Sequence, residues 1–189
     1  MAVKSTMLEL GTPAPRIHLP DVTTKETVSS ADYAGQALLV MFICQHCPYV
    51  KHVEDELGKL GTDYEGKLGI IAVGSNDVDA YPGDKPERLK TQAERAGFTF
   101  PYVYDESQAV AKAYTAACTP DFFLFDDKHT LVYRGRLDSS RPGSDVPVTG
   151  EDLRRAVDQV LAGGKPGAEQ HPSMGCNVKW KPGNEPDYF

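Results

Sequence analysis

The chain has 189 residues, 40% of them hydrophobic and 25% charged, with a formal net charge of −7. That length and apolar content suffice for one buried core without disulfide staples, and the acidic balance, with no strongly basic stripe, argues against a nucleic-acid backbone or an anionic membrane surface as partner. The longest apolar run, Ala37 to Cys44, falls far short of the roughly 18 residues a membrane helix requires.

The opening extension, to about residue 20, is punctuated by Pro13, Pro15 and Pro20 and has room for one short edge strand. It lacks an apolar leader with a small-residue cleavage site, so the expected location is cytoplasmic. Ala37 to Ile43 has the continuous apolar character of a strand covered on both faces, although periodicity alone also allows a buried helix. Pro48 suits the first turn of a helix, where its missing N–H has no helical partner. Val50, Val53, Leu57, Leu60 and Tyr64 then recur at spacings of three and four. Gly58 and Gly61 weaken this amphipathic helix, and Glu54-Asp55-Glu56 reads as its solvated face.

Leu68 to Val73 supplies a second buried strand, and a strand–helix–strand unit of this size implies parallel pairing by a right-handed crossover. A loop from Asn76 to Lys85, rich in Asp, Gly and Pro, leads to a polar helix from about Pro86 to Ala96, which Gly97 can close in a left-handed cap. After a short strand around Pro101 to Tyr104, Asp105 and Gln108 resemble a capping box that opens a short helix carrying Ala109, Val110, Ala113 and Tyr114. Phe122 to Phe125 and Thr130 to Arg136, joined by a turn at Asp126-Asp127-Lys128-His129, read as an antiparallel hairpin.

Thr149 and Asp152 look like another capping box, ahead of a last helix striped by Leu153, Ala156, Val157, Val160 and Leu161. From Gly163 to Phe189 the composition turns to Gly, Pro and charge. This irregular tail holds Cys176 and the only tryptophan, Trp180, and is expected to pack on the body. The organisation expected is one domain over residues 1–162 followed by the tail over 163–189.

Chemistry concentrates at Cys44-Gln45-His46-Cys47, where the first buried strand gives way to the helix begun by Pro48. Free N–H groups and the positive dipole end at a helix N-terminus favour a thiolate over a thiol. Four cysteines are too few for a disulfide scaffold, and in a reducing compartment a close pair is more often catalytic or metal-binding than structural.

Three stretches, Cys44-Gln45-His46-Cys47-Pro48-Tyr49-Val50, Thr119-Pro120-Asp121-Phe122-Phe123-Leu124-Phe125-Asp126 and Ser173-Met174-Gly175-Cys176-Asn177-Val178-Lys179-Trp180, carry a family resemblance. With the order of elements, they resemble the thioredoxin-like redoxins, in a branch that joins peroxiredoxin-style architecture to a Cys-x-x-Cys site. The likeness runs from about Thr12 to Leu161. It implies an α/β thioredoxin-like fold, with a central mixed β-sheet flanked by helices, and a thiol–disulfide oxidoreductase needing no cofactor. Its partner would be a protein or small thiol that carries a disulfide or dithiol.

By that resemblance Cys44 is the exposed nucleophile and Cys47 resolves the mixed disulfide. Pro120 faces the dithiol through a cis bond after Thr119, whose backbone is left to pair with an extended substrate. His46 matches an imidazole of strongly oxidising disulfide oxidoreductases, which implies a couple more oxidising than thioredoxin's about −270 mV; the plainer reading is a solvated loop histidine. Cys118, one residue before Thr119-Pro120, reads first as a small buried hydrophobe and second as an additional redox thiol near the site, and Cys176 is either a third redox thiol or a packed residue.

Two other readings stay open. In a peroxiredoxin-like peroxidase a Thr or Ser precedes the Cys-Pro by three residues, yet Cys44 stands there before Cys47-Pro48. Pro120-Asp121 also replaces the expected arginine, leaving Arg134 and Arg136 as substitutes only if the fold brings them near. For a zinc site, Cys44 and Cys47 provide half of a tetrahedral set, but His52, Cys118 and Cys176 are distant or poorly spaced partners, so no metal is expected.

Overall fold

In the computed structural model, which describes residues 2–188, the two long apolar runs lie side by side as parallel strands. In chain order the elements are β1 (Ala2–Lys4), β2 (His18–Pro20), β3 (Thr27–Ser29), β4 (Leu38–Phe42), α1 (Pro48–Asp63), β5 (Gly69–Gly74) and α2 (Pro86–Ala96). There follow β6 (Tyr102–Tyr104), α3 (Ala109–Ala113), β7 (Cys118–Thr119), β8 (Asp121–Phe125), β9 (Leu131–Gly135), α4 (Glu151–Leu161) and β10 (Met174–Asn177).

The central sheet has the order β6-β5-β4-β8-β9. Pairings β4–β5 and β5–β6 are parallel, while β4–β8 and β8–β9 are antiparallel, so the sheet is mixed. Strand β4 has no polar residue because both of its faces are covered. Leu39, Met41 and Ile43 pack with Val50, Leu57 and Leu60 of α1 and Leu153 and Val157 of α4, whereas Leu38, Val40 and Phe42 join Ile71, Val73, Tyr114 and Phe123 on the other side. No helix among the described residues is long and apolar enough to cross a membrane.

Helix α1 starts with Pro48 as its first residue and Cys47 in the cap position. Its glycines serve close approach as well as costing helix propensity. A Cβ at Gly58 would collide with the Ala96 carbonyl at the end of α2, and one at Gly61 would lie 2.8 Å from the Phe100 ring. Gly97 closes α2 in the left-handed conformation, at φ +65°.

Several local expectations are corrected. Gln108, at φ +62°, caps α3 without a side-chain bond. Asp105 instead accepts from Ser75 Oγ and the Ala111 N–H, and the Gln108 amide reaches the carbonyls of Ser75 and Lys179. Gly150 caps α4, because the Asp138 carboxylate takes the N–H groups of Thr149 and Gly150 from outside the helix. Asp152 is thereby left to pair with Arg136 and Arg155.

Glu54 and Glu56 are buried, not solvated. Arg95 grips both oxygens of Glu54, which also accepts from Gln92, and Arg154 pairs with Glu56. Only Asp55 of that run faces solvent. Each ion pair offsets the cost of taking a carboxylate out of water.

The opening extension carries two short strands, β1 and β2, instead of one, and β2 pairs with β3 beyond it as a hairpin. A second three-stranded sheet, β1-β10-β7, joins the two ends of the described chain over the segment before Pro120, with both pairings antiparallel. Beyond β10, Val178 and Trp180 are buried against the body.

Candidate active site

The end of β4 and the start of α1 bring Cys44 and Cys47 to one residue, Thr119. Cys44 Sγ lies 3.3 Å from Thr119 Oγ1, and Cys47 Sγ lies 3.2 Å from the Thr119 carbonyl oxygen. Thr119 ends β7 and is joined to Pro120 by a cis peptide bond. The structure therefore gathers Cys44, Cys47, Thr119 and Pro120 at one point.

The two thiols interact with each other, and the proton is divided unequally between them. The interaction with Cys44 pulls the Cys47 thiol down to about 4, against the opposing effect of burial, and Cys176, Thr119 and the Val50 N–H of the first helical turn lower it further. Cys44 moves the other way. Its interaction with Cys47, its burial and the nearby Asp84 charge all push its thiol well up. One negative charge shared by a close dithiol is the expected outcome in a buried site, where two would repel strongly.

Cys44 is only 1% exposed and Cys47 wholly buried. The expectation of an exposed Cys44 nucleophile is corrected: Cys44 is part of the core on the α1 side of the sheet, with its carbonyl facing Gln92. Nor is the Thr119 backbone open. Strand β10 pairs with β7 there, placing Cys176 opposite Thr119. Cys176 stays partly exposed, and burial together with the neighbouring Cys47 raises its thiol to about 11.

His46 is held by Asp84. Its Nδ1 lies 2.5 Å from Asp84 Oδ2, and its ring stacks on Tyr81 with centroids 5.7 Å apart. Asp84 also accepts from the N–H groups of Gln45 and His46 and from Asn76 Nδ2. Burial works against the Asp84 charge, yet the bonds from His46 and Asn76 outweigh it and keep the carboxyl below its ordinary range. This aspartate fixes the backbone of the Cys-x-x-Cys loop. Sequence reasoning missed it inside a turn rich in Asp, Gly and Pro, where a lone acidic residue carries no distinguishing signal.

Cys118 is buried near the Pro120 carbonyl, and burial above all pushes its thiol well up. It flanks the dithiol's partner residue without touching the dithiol in any hydrogen bond. His52 points to Ser140 Oγ, at 2.7 Å. Arg134 binds the Leu8 carbonyl and Gln170, and Arg136 binds Asp152, so the two arginines considered as peroxide-polarising substitutes are engaged elsewhere.

Cys44, His46 and Asp84 offer three ligand atoms within 4.8 Å of one another, a different set from the one considered for zinc. The four donors already on the Asp84 oxygens make this cluster a hydrogen-bonded hub that orients the loop.

The AhpC/TSA family profile matches residues 10–134. A protein of Mycobacterium tuberculosis named as a candidate peroxiredoxin is 33% identical over 113 residues, 60% of this chain and 68% of that protein. An uncharacterized conserved protein from Geobacillus kaustophilus superposes with a TM-score of 0.93 at 49% identity, over 96% of this chain and 97% of that one. A candidate thiol:disulfide interchange protein DsbE from Chlorobium tepidum, at 18% identity, superposes with a TM-score of 0.65 over 82% of this chain and 99% of that one, which marks the fold as thioredoxin-like.

Proposed function

The chain belongs to the AhpC/TSA family of thioredoxin-like redoxins, and from that premise we propose that it is a thiol–disulfide oxidoreductase working through Cys44 and Cys47. The observation that carries this reading is the convergence of both thiols on Thr119, next to cis Pro120 and the N-terminus of α1.

Cys47 begins as the thiolate and Cys44 as the thiol. Cys44 attacks a disulfide R–S–S–R, forming a Cys44 mixed disulfide, and its proton leaves with the first released sulfur as RSH. Cys47, still the thiolate, attacks the Cys44 sulfur. The internal disulfide forms, and the second sulfur leaves as RS⁻, which takes a proton from solvent. The sequence is reversible, so the same residues can oxidise a dithiol. The charge held on Cys47 stabilises the reduced pair, which favours a couple more oxidising than thioredoxin's about −270 mV.

The test is disulfide mapping by mass spectrometry on oxidised protein, paired with an insulin-reduction assay. A Cys44–Cys47 bond is expected, with activity abolished in both Cys44→Ser and Cys47→Ser. Undiminished activity in Cys44→Ser would reject the mechanism.

A second reading, a thiol peroxidase, draws support from the peroxiredoxin name of the mycobacterial relative and the charge on Cys47 before Pro48. Rapid peroxide turnover with a thiol donor, lost in Cys47→Ser and kept in Cys44→Ser, would favour it. The engaged guanidinium groups of Arg134 and Arg136 weigh against it, since donors are needed where charge develops on the peroxide oxygens.

A further inference from the structure

The dithiol is buried, yet disulfide exchange needs sulfur-to-sulfur contact. Thr119 lies between the buried pair and the tail: its side chain meets Cys44, its carbonyl meets Cys47, and its backbone pairs with β10 at Cys176. The fit is tight. A Cβ at Gly175 would sit 1.9 Å from the Thr119 carbonyl oxygen, so the neighbouring position admits only glycine.

The strand is anchored on both sides. Ser173 Oγ donates to the Pro120 carbonyl at 2.6 Å, and the Lys179 N–H donates to Asn76, which in turn holds Asp84. Strand β1 closes the outer edge of β10. An extended polypeptide therefore finds the edge beside Pro120 already taken, and the thiol left partly exposed there is Cys176.

We infer that Cys176 is a third redox thiol, through which the buried Cys44–Cys47 pair exchanges with low-molecular-weight disulfides in solution. The inference rests on the reading of that pair as the exchanging dithiol. A small disulfide R–S–S–R is attacked by Cys176, which forms a mixed disulfide and releases RS⁻. Cys47 attacks the Cys176 sulfur, forming a Cys47–Cys176 bond and releasing the second RS⁻. Cys44 then attacks the Cys47 sulfur, Cys176 leaves as thiolate, and the disulfide ends between Cys44 and Cys47. The released groups take the protons of the attacking thiols. Two electrons pass from the dithiol to the external disulfide.

Hydroxyethyl disulfide is the probe, reacted with the reduced full chain. Cys176→Ser should slow the reaction at least about tenfold, because access governs exchange rates, while its thermal midpoint stays that of the wild type. Oxidised Cys44→Ser should yield a mapped Cys47–Cys176 disulfide. A wild-type rate in Cys176→Ser, or no such bond in Cys44→Ser, overturns the relay. If Cys176→Ser fails to fold, timed alkylation of wild-type protein decides: Cys176 labelled first, with exchange then blocked, supports the relay, and Cys44 labelled first refutes it. Release of the second RS⁻ lost in Cys47→Ser, with a wild-type rate in Cys176→Ser, removes the relay alone. Exchange unaffected in Cys47→Ser removes the dithiol reading, and the relay with it.

Discussion

Two regions beside Pro120 each bury a cysteine and an aspartate, with opposite results. In the Cys-x-x-Cys loop Cys47 is wholly buried and Asp84 is 2% exposed, yet both favour their charged forms. At the junction of β7 and β8, Cys118 and Asp121 are each wholly buried, and both are driven toward their neutral forms, Asp121 up to about 8. Burial is common to the two regions, so it does not decide the charge. Donors do. Asp84 receives four hydrogen bonds, whereas Asp121 Oδ1 has no partner and backbone N–H groups only partly offset the desolvation. The protein keeps charge on Cys47 and Asp84 and suppresses it on Cys118 and Asp121, which flank Thr119-Pro120.

The largest effect that can break this contrast is in the thiols. Ultraviolet absorbance of reduced protein should show a thiolate that titrates with a midpoint of about 4, against an ordinary 9.0. Cys47→Ser should abolish that transition, with Cys118 contributing nothing in the range. A midpoint near the ordinary value would erase the difference between the two cysteines.

Next comes Asp121. Its native pKa is raised from 3.8 to about 8, so the folded chain holds a proton that the unfolded chain has released. This group's contribution is most favourable below the unfolded value and is lost as pH rises through the folded one. Because Cys47 imposes the opposite slope over much of this window, the quantity to measure is the difference between wild type and Asp121→Asn. Urea unfolding should find the variant gaining on the wild type from about pH 4 upward, by on the order of a few kcal/mol at pH 8. A difference independent of pH would show that Asp121 is charged in the native state.

The smallest effect sharpens the other side of the comparison. Asp84→Asn leaves a carbonyl for the loop N–H groups but removes the charge that holds His46 and lifts Cys44. The expected cost is about 1–3 kcal/mol of stability, with the pH profile of Cys44 alkylation displaced to lower pH. An unmoved profile would mean that Asp84 is structural only.

Strongly local patterns were readable before the fold was known. Strand β4 had an uninterrupted apolar run because both faces are covered, α1 was signalled by Pro48 and its apolar spacing, and α2 by Gly97. The dithiol and Thr119-Pro120 were found by type and order. What stayed hidden depends on partners far along the chain. Strands β1 and β10 have three and four residues and become strands only by pairing with each other and with β7. Glu54 and Glu56 look solvated until Arg95 and Arg154 arrive from other helices, and Asp84 acquires its meaning only when the loop of Gln45 and His46 folds onto it.

Strand β10 also ties the tail to the opening of the chain. It pairs with β1 on one side and with β7 on the other, so removing residues 174–177 would strip two strands of their partner at once. The backbone of Thr119 would then be an open sheet edge, the kind of surface on which a stray extended chain can dock. One short strand therefore serves both as a structural tie and as a guard against unwanted pairing beside the dithiol.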